Sequence, residues 1–167
     1  MSQHEHKVAA PSRVSCFVLT VSDTRTEETD SSGRVIADLL AAAGHDVIRR
    51  TIVKDDAGDV IRVVSHELST GDVQVIITTG GTGLSSRDST YEAISELLDK
   101  RLDGFGELFR SLSYQEIGPA AMLSRATAGV ARGKLVVALP GSEGAVRLAM
   151  TRLLLPELGH LVQQISK

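Results

Sequence analysis

The sequence is poor in cysteine and in aromatic residues, and each shortage excludes a class of protein. Cys16 is the single cysteine, so no disulfide can form within the chain. Because Cys16 stands in an apolar, strand-like run, we expect a buried thiol. Tryptophan is absent, aromatic residues make up 3% of the chain and the net charge is -3. Proteins that bind nucleic acids use basic surfaces and aromatic rings, so no nucleic-acid partner is expected.

Long apolar runs are also missing. No stretch approaches the roughly 20 apolar residues of a membrane-spanning helix, so no membrane partner is expected. Residues 1–12 are polar and lack the apolar centre of a signal peptide, and we expect them to form a flexible tail. A single cysteine and the lack of a targeting segment fit the reducing cytoplasm. Residues 13–167 are enough for one domain with a sizeable core.

The apolar pattern predicts strands that alternate with amphipathic helices. Strands are predicted at 14–21, 45–53, 73–78 and 135–139, the second being more polar and therefore nearer an edge. Helices are predicted at 33–43, 60–69, 89–98, 107–112, 144–155 and 157–165, with Pro156 separating the last two. This order predicts an α/β fold, a three-layer α/β/α sandwich with a mostly parallel central sheet.

The stretch from Val75 to Gly83 predicts where a ligand binds. A run of β-branched residues ends abruptly in Thr79-Gly80-Gly81-Thr82-Gly83, and Asp88 follows five residues later. Ligands of α/β sheets bind at the carboxyl ends of strands, and the amides and hydroxyls of such a loop can hold an anion. The loop is not followed by the Gly-Lys-Ser/Thr of a Walker phosphate loop, and its glycine spacing does not match the dinucleotide fingerprint.

Polar residues also follow the other predicted strands. They are Ser22 and Asp23 after the first strand, Asp55 and Asp56 after the second, and Pro140-Gly141-Ser142 after the last. Because the ends of parallel strands share one edge of a sheet, we expect these residues to converge on one crevice. Each acid alone, and Ser142, has a simpler interpretation as the cap of a turn or helix. Together, a glycine loop and two separated acids suit a phosphate ligand bridged by Mg²⁺.

Further short motifs run in order between residues 13 and 165. They are Val21-Ser22-Asp23-Thr24-Arg25, the glycine loop with Arg87-Asp88 and Glu92-Ala93, Gly104-Phe105-Gly106-Glu107, Phe109-Arg110, Ser113, Gly118-Pro119, Leu123-Ser124-Arg125, Ala128-Gly129 and Pro140-Gly141-Ser142. Any one of these motifs is weak, but the set is specific. The chain resembles the MoaB/Mog family of molybdenum cofactor biosynthesis, whose domain also recurs in gephyrin-like and MoeA-type proteins.

The resemblance implies a molybdopterin-binding α/β/α domain that associates with itself as a trimer, or as a hexamer made of two trimers, and that works with other molybdenum cofactor biosynthesis proteins. In catalytic members it implies a molybdopterin adenylyltransferase, with ATP and molybdopterin as substrates and Mg²⁺ as cofactor. Asp55 and Asp88 match the two acids assigned to catalysis, and we expect them to hold the metal ion. The expected substrate-binding residues are Asp23, Thr79, Gly80, Gly81, Thr82, Gly83, Arg87, Ser124, Arg125, Pro140, Gly141 and Ser142.

Some residues depart from the family pattern. Tyr91 and Lys54 stand where the family commonly has proline, and Lys54 could add a phosphate contact. The segment from Phe109 to Gly118 looks more like MoaB than Mog, and some MoaB-type paralogues lack adenylylation. A non-catalytic pterin-binding or assembly protein is therefore the alternative function, and a domain for some other phosphorylated ligand is a third. Leu148–Leu155 has more leucine than one helix face needs, which suits either an oligomer interface or a fully buried core helix.

Overall fold

A six-stranded sheet forms the centre of the fold in a computed structural model that describes residues 2–167. The strands are β1 (Ser15–Val21), β2 (Asp46–Val53), β3 (Val75–Thr79), β4 (Lys100–Arg101), β5 (Thr127–Ala131) and β6 (Lys134–Leu139). The four strands that the sequence predicts correspond to β1, β2, β3 and β6. These four strands carry the loops of the predicted crevice.

Helices connect the strands and cover both faces of the sheet. They are α1 (Gln3–Val8), α2 (Ser31–Ala42), α3 (Ala57–Ser69), α4 (Thr90–Leu97), α5 (Asp103–Ile117), α6 (Glu143–Ala149) and α7 (Leu155–Ile165). A 3₁₀-helix at Gly118–Leu123 follows α5, and a π-helix at Met150–Leu154 joins α6 to α7. None of the helices described for residues 2–167 has the length and apolar character needed to cross a membrane.

The strand order across the sheet is β2-β1-β3-β6-β5-β4. Strands β1, β2, β3 and β6 run parallel, whereas β5 is antiparallel to β6 and β4 is antiparallel to β5. The register aligns Val18 with Ile77 and Ile77 with Val137. The carboxyl ends of the four parallel strands therefore lie at one edge, as a doubly covered parallel sheet requires. The predicted α/β/α sandwich with a mostly parallel sheet is confirmed.

Both faces of the parallel strands are buried, which explains their near-continuous apolar sequences. Side chains alternate between the faces, so Val18 and Ile77 join a core cluster with α2, α6 and α7, while Phe17 and Ile76 join a second cluster with α3 and α4. Cys16 lies in the first cluster, where burial raises the pKa of its thiol to about 12. The expected buried thiol is confirmed.

The closing helices form one continuous helical run, so the prediction that Pro156 separates two helices is wrong. Proline lacks an N–H and its ring collides with the carbonyl four residues earlier in a regular α-helix. The π-helix precedes Pro156, and Leu155 N–H donates to the Met150 carbonyl five residues back. The wider π turn accommodates the proline without ending the helix.

The leucine-rich stretch from 148 to 155 belongs to the core. Leu148 and Leu154 are buried in the first core cluster, and Leu153 and Leu155 pack against that cluster from its margin. Four leucines of this stretch thus contribute to the core, although the helix is not buried on all sides, since Thr151 and Arg152 are exposed. The interpretation as an oligomer interface stays a prediction.

Residues 3–8 form helix α1, where the sequence predicts a flexible tail. Ser2 and Glu5 form a capping box at its start, in which each side chain bonds the other residue's backbone N–H. The Lys7 side chain forms an ion pair with Glu157 of α7. The Pro11 carbonyl lies so close to Gly159 that a Cβ at 159 would fall well inside the 3.0 Å that real Cβ atoms keep. The segment thus packs on α7.

The antiparallel side of the sheet was missed by the sequence analysis. Strand β4 has 2 residues, and β5 contains Gly129, whose Cα approaches the Lys100 carbonyl too closely to admit a Cβ. Neither segment has the long apolar run that identifies a strand. Helix α5 starts at Asp103 and extends to Ile117, beyond the predicted 107–112, because Phe105 and Ser113 also face the interior.

Candidate active site

The loops that follow β3 and β6 meet at the carboxyl edge of the sheet. Thr79 Oγ1 donates a hydrogen bond to the Pro140 carbonyl at 2.8 Å, and Gly80 N–H donates to the Leu139 carbonyl at 3.0 Å. A Cβ at Gly141 would lie 3.4 Å from the Gly80 Cα, so the two loops touch backbone to backbone. The structure therefore brings the glycine loop and Pro140-Gly141 together, as the topology predicts.

Gly80 and Gly81 shape the glycine loop. Both have positive φ, +97° and +71° respectively. A Cβ at 80 would overlap the Val21 carbonyl, and a Cβ at 81 would overlap Thr90 Oγ1, in each case far inside 3.0 Å. An L side chain is disfavoured by both the backbone conformation and the lack of space. The loop is therefore held tightly between the end of β1 and the start of α4.

Asp55 is buried beneath the start of α4, with 9% of its surface exposed. Its Oδ1 accepts hydrogen bonds from Ser89 N at 3.1 Å and Ser89 Oγ at 3.0 Å, and its own N–H donates to Asp23 Oδ1 at 3.0 Å. Its Oδ2 accepts no hydrogen bond from any of residues 2–167. The neighbouring Asp56 instead caps α3, accepting from Asp59 N at 3.0 Å. The capping interpretation thus holds for Asp56 and not for Asp55.

Asp23 and Arg87 form an ion pair across the crevice. Arg87 Nε and Nη2 donate to the two carboxylate oxygens of Asp23 at 3.0 Å and 2.9 Å. These bonds, together with the N–H of Asp55, lower the pKa of Asp23, and the Asp23 carboxylate raises the pKa of Arg87. Both groups are therefore charged at neutral pH. The pair fastens the segment after the glycine loop to the loop after β1.

Asp88 lies beside Gly83, two residues along the glycine loop from Gly81, which lies near Asp55. Its Oδ2 accepts from Ser85 N at 3.0 Å, and a Cβ at Gly83 would lie 2.6 Å from that oxygen. The N-cap position of α4 belongs to Ser89, whose side chain makes no capping hydrogen bond. Asp88 is therefore not the cap of α4. Its Oδ1 accepts no hydrogen bond from the described part of the chain, residues 2–167.

The two acids fit a magnesium site of the kind that substrates complete. Among residues 2–167, no group of three or more His, Cys, Asp or Glu side chains is placed to hold a metal ion. A cage made only of protein ligands is therefore not built here. Mg²⁺ commonly binds through one or two carboxylates and takes its other ligands from phosphates and water. Asp55 Oδ2 and Asp88 Oδ1, which no protein donor uses, are oxygens of the required type.

The Arg125 side chain supports the glycine loop through its backbone carbonyls. Its guanidinium donates to the carbonyls of Thr82 at 3.1 Å and Gly83 at 2.5 Å, pairs with Glu92, and stacks 4.9 Å from the centre of the Tyr91 ring. The pKa of Glu92 is lowered by this pairing. The sequence places Arg125 at the substrate crevice, and the structure shows that its donors are used by the loop itself.

Ser124 and Ser142 have local hydrogen bonds as well. Ser124 Oγ accepts from Ala126 N at 3.4 Å, within the turn that leads to β5. Ser142 Oγ accepts from Ala145 N at 3.3 Å and is the N-cap of α6. The capping interpretation therefore holds for Ser142. The expected substrate contacts of both residues stay predictions.

Thr90 also belongs to the site, although the sequence pattern predicts only that it begins a helix. It is fully buried at the start of α4, and its Oγ1 has no hydrogen-bond partner among residues 2–167. The same oxygen lies against Gly81, whose missing Cβ would also come within 3.1 Å of Asp55 Oδ1. A buried hydroxyl without a partner costs free energy unless water or a ligand satisfies it. Its position in the sequence, directly after Asp88-Ser89, gives no sign of this.

Comparisons with known proteins identify the family. Residues 17–160 match the family model described as "Probable molybdopterin binding domain". Molybdenum cofactor biosynthesis protein B of Halalkalibacterium halodurans is 51% identical over 168 residues, covering 100% of this chain and 99% of the relative.

Solved structures agree. A crystal structure of a molybdenum cofactor biosynthesis protein B is 54% identical, with a TM-score of 0.90 over 93% of this chain and 98% of that chain. The tungsten cofactor synthesizing protein MoaB of Pyrococcus furiosus is 37% identical, with a TM-score of 0.85 over 95% of this chain and 100% of that chain. The chain therefore belongs to the MoaB/Mog family of molybdenum cofactor biosynthesis proteins.

Proposed function

We propose that this protein adenylylates molybdopterin, consuming ATP with Mg²⁺ and releasing pyrophosphate. The observation that carries the proposal is the placement of two carboxylates against two glycines of one loop. Asp55 Oδ1 is 3.1 Å from the Cβ position of Gly81, and Asp88 Oδ2 is 2.6 Å from that of Gly83. Phosphoryl and nucleotidyl transfer require oxygen donors for a metal ion next to amides that hold phosphate oxygens. This loop offers both.

The proposed reaction is an in-line displacement at the α-phosphorus of ATP. An oxygen of the molybdopterin phosphate forms a bond to that phosphorus, while the bond to the oxygen bridging the α- and β-phosphates breaks. The electron pair of the broken bond leaves with pyrophosphate. Such transfers depend on positioning and charge neutralisation more than on covalent help from the protein. Bound Mg²⁺ would supply part of that neutralisation.

The residues of the chain divide the remaining tasks. The amides of Gly81, Thr82 and Gly83 would hold phosphate oxygens, whereas the Gly80 N–H already donates to the Leu139 carbonyl. Asp55 and Asp88 would hold the metal ion. Ser89 fixes the carboxylate of Asp55 with two hydrogen bonds. The Asp23–Arg87 pair keeps the loop that carries Asp88 against the end of β1.

A turnover assay with purified protein tests the proposal. Adenylyl-molybdopterin is measured with molybdopterin, ATP and Mg²⁺ for the wild type and for Asp88→Asn, Asp55→Asn and Asp56→Asn. Loss of a group that stabilises developing charge typically costs on the order of 100-fold in rate, and we expect at least this from the first two variants. Asp56→Asn is the matched control: it is an adjacent acid, and asparagine also caps helices well.

The outcomes separate the candidate functions. Full-rate turnover by Asp88→Asn, with normal molybdopterin binding, would show that Asp88 holds no essential metal ion. Tight binding of molybdopterin by the wild type without any turnover would establish the alternative, a non-catalytic pterin-binding protein. Equal losses in all three variants would point to a general effect of removing acids from this edge, and not to a metal site.

Three further expectations stay predictions: self-association as a trimer or hexamer, work alongside other molybdenum cofactor biosynthesis proteins, and a cytoplasmic location.

A surface suited to self-association exists on α5 and the 3₁₀-helix that follows it. Large exposed apolar side chains are concentrated there, namely Leu108, Tyr114, Ile117, Met122 and Leu123. Such a concentration is typical of a surface that another protein covers.

A further inference from the structure

A separate cleft opens beside the proposed active site, at the carboxyl ends of β1 and β2. Its volume is about 750 Å³, a size typical of small-molecule sites, and it is lined by the loop after β1 and by the last residues of β2. Three cationic side chains, Arg25, Arg50 and Lys54, face it, and the hydroxyl residues Ser22, Thr26 and Thr51 complete the wall. None of the roles assigned above uses the cleft.

Arg50 has hydrogen-bond donors that the protein does not use. Its side chain is 26% exposed, and its guanidinium donates no hydrogen bond to any of residues 2–167. The nearest anionic atom is Asp30 Oδ2, which lies 3.7 Å from Arg50 Nε. The two oxygens of Asp30 already accept from Thr20 Oγ1 at 2.8 Å and from Gly33 N at 3.0 Å. A largely buried guanidinium with free N–H groups is an anion-binding group.

Arg25 and Lys54 extend the positive charge along the cleft. Arg25 donates to Ser31 Oγ and Ser32 Oγ at 3.1 Å and 3.0 Å, and it also lies 3.8 Å from the buried Asp30. One carboxylate thus stands between two guanidinium groups, which leaves one positive charge in excess. Lys54 is exposed, and its ammonium group has no hydrogen-bond partner among residues 2–167.

The acids of the lining offset only part of this charge. Asp23 is one of them, and its carboxylate is already paired with Arg87. Glu27 is the other acidic residue of the lining. Arg50, held in place next to Asp30, and Lys54, which directly follows β2, therefore present two cationic side chains to the cleft.

We propose that this cleft is a subsite for a polyphosphate group, either the β- and γ-phosphates of a nucleotide or free pyrophosphate. The inference rests on the proposed function, and it deepens that function by assigning the leaving group to residues outside the glycine loop. Lys54 immediately precedes Asp55, so the cleft adjoins the proposed metal position. When the bond between the α-phosphorus and the bridging oxygen breaks, the negative charge that develops on pyrophosphate would be stabilised by Arg50 and Lys54.

Calorimetric titration of the full-length protein tests this subsite without any need for turnover. The probes are pyrophosphate, an ATP analogue with a methylene group between the α- and β-phosphates, which resists the proposed cleavage, and AMP, each with Mg²⁺. The variants are Arg50→Gln, Arg50→Lys and Lys54→Gln. The control is Arg62→Gln, which removes a cation that is 69% exposed on α3 and paired only with its neighbour Asp59.

We expect Arg50→Gln and Lys54→Gln each to weaken pyrophosphate and the ATP analogue on the order of 10-fold, because each loses a charge-assisted hydrogen bond. Arg50→Lys should recover part of that loss, and Arg62→Gln should bind like the wild type. AMP lacks the β- and γ-phosphates, so its affinity should be the same for the wild type and for all variants. Weakening of both probes would assign the cleft to the polyphosphate group in either form, and weakening of pyrophosphate alone would assign it to the released product.

The failure of this inference is distinguishable from failure of the proposed function. Undiminished pyrophosphate binding in both Arg50→Gln and Lys54→Gln, or no pyrophosphate binding by the wild type, overturns the subsite even if adenylylation is measured. Charge-dependent pyrophosphate binding in a protein that produces no adenylyl-molybdopterin supports the subsite and refutes the enzyme. A loss of AMP binding equal to that of the ATP analogue would place the α-phosphate, and not the leaving group, in the cleft and would overturn the assignment.

Discussion

Gly81→Ala gives the sharpest test of how the glycine loop is built. Two costs can be worked out from the structure. An L residue in the left-handed region, where Gly81 has φ +71°, costs about 1–2 kcal/mol. The new Cβ would also overlap Thr90 Oγ1 and lie 3.0 Å from Thr90 Cβ, and such overpacking costs about 1–3 kcal/mol. The sum is about 2–5 kcal/mol, a large part of the stability of a typical domain.

Urea denaturation followed by circular dichroism measures this loss. Gly44→Ala is the matched control, because Gly44 has φ +89° with no atom within 4 Å of its Cβ position. The control should lose only the backbone cost, about 1–2 kcal/mol. Thr90→Ala removes the atom closest to the new Cβ. In that background Gly81→Ala should cost at least about 1 kcal/mol less, because the effects of substitutions at residues in contact are not additive. If Gly81→Ala destabilised no more than Gly44→Ala, the packing of the loop on Thr90 would be wrong.

Two further predictions concern single groups of the site. Thr90→Val replaces an unbonded hydroxyl with a methyl group of similar shape, so urea denaturation should show equal or higher stability. The turnover assay should show a loss if the hydroxyl serves a ligand. A destabilised variant would mean that Oγ1 has a protein or water partner. Arg87→Gln should raise the pKa of Asp23 towards its ordinary value of about 3.9, measured by carbon NMR of the carboxylate. Because the pKa of Asp23 is lower in the folded than in the unfolded protein, the stability that this pair contributes is present above the unfolded pKa and is lost as pH falls through the folded pKa. An unchanged titration of Asp23 in Arg87→Gln would refute the pairing.

The parallel part of the fold could be predicted because its signal is local and strong. Strands covered on both faces require unbroken apolar runs, such as Val75–Thr79, and those runs stand out against the amphipathic helices between them. The antiparallel hairpin gives no such signal. Strand β4 is exposed and only 2 residues long, so its pairing with Val130 and Gly129 depends on the fold and not on its own sequence.

The site could be predicted in position but not in its partnerships. Topology alone brings Asp23, Asp55 and the glycine loop to one edge. It does not reveal that Asp23 pairs with Arg87, 64 positions away, or that the Arg125 guanidinium donates its hydrogen bonds to the loop carbonyls. These contacts depend on side-chain directions in irregular segments, which no periodic pattern encodes. Adjacent acids after β2 looked alike in sequence and proved to have different roles.

The two candidate metal ligands differ in how the protein holds them, and this difference decides how their variants should be interpreted. Asp55 is buried, and its carboxylate accepts a hydrogen bond from Ser89 N–H. Its own N–H donates to Asp23, which pairs with Arg87. One connected set of bonds therefore links the loops after β1, β2 and β3. A change at Asp55 that removes its Oδ1 would leave the Ser89 donors without their acceptor, and Asp55→Asn, which keeps an acceptor oxygen, still alters the charge at the centre of this set of bonds. Asp88 is more exposed, and its carboxylate accepts one hydrogen bond among residues 2–167, from Ser85 N–H within the same turn. A loss of turnover on replacing Asp88 can therefore be ascribed to chemistry at its carboxylate more directly than the same loss on replacing Asp55.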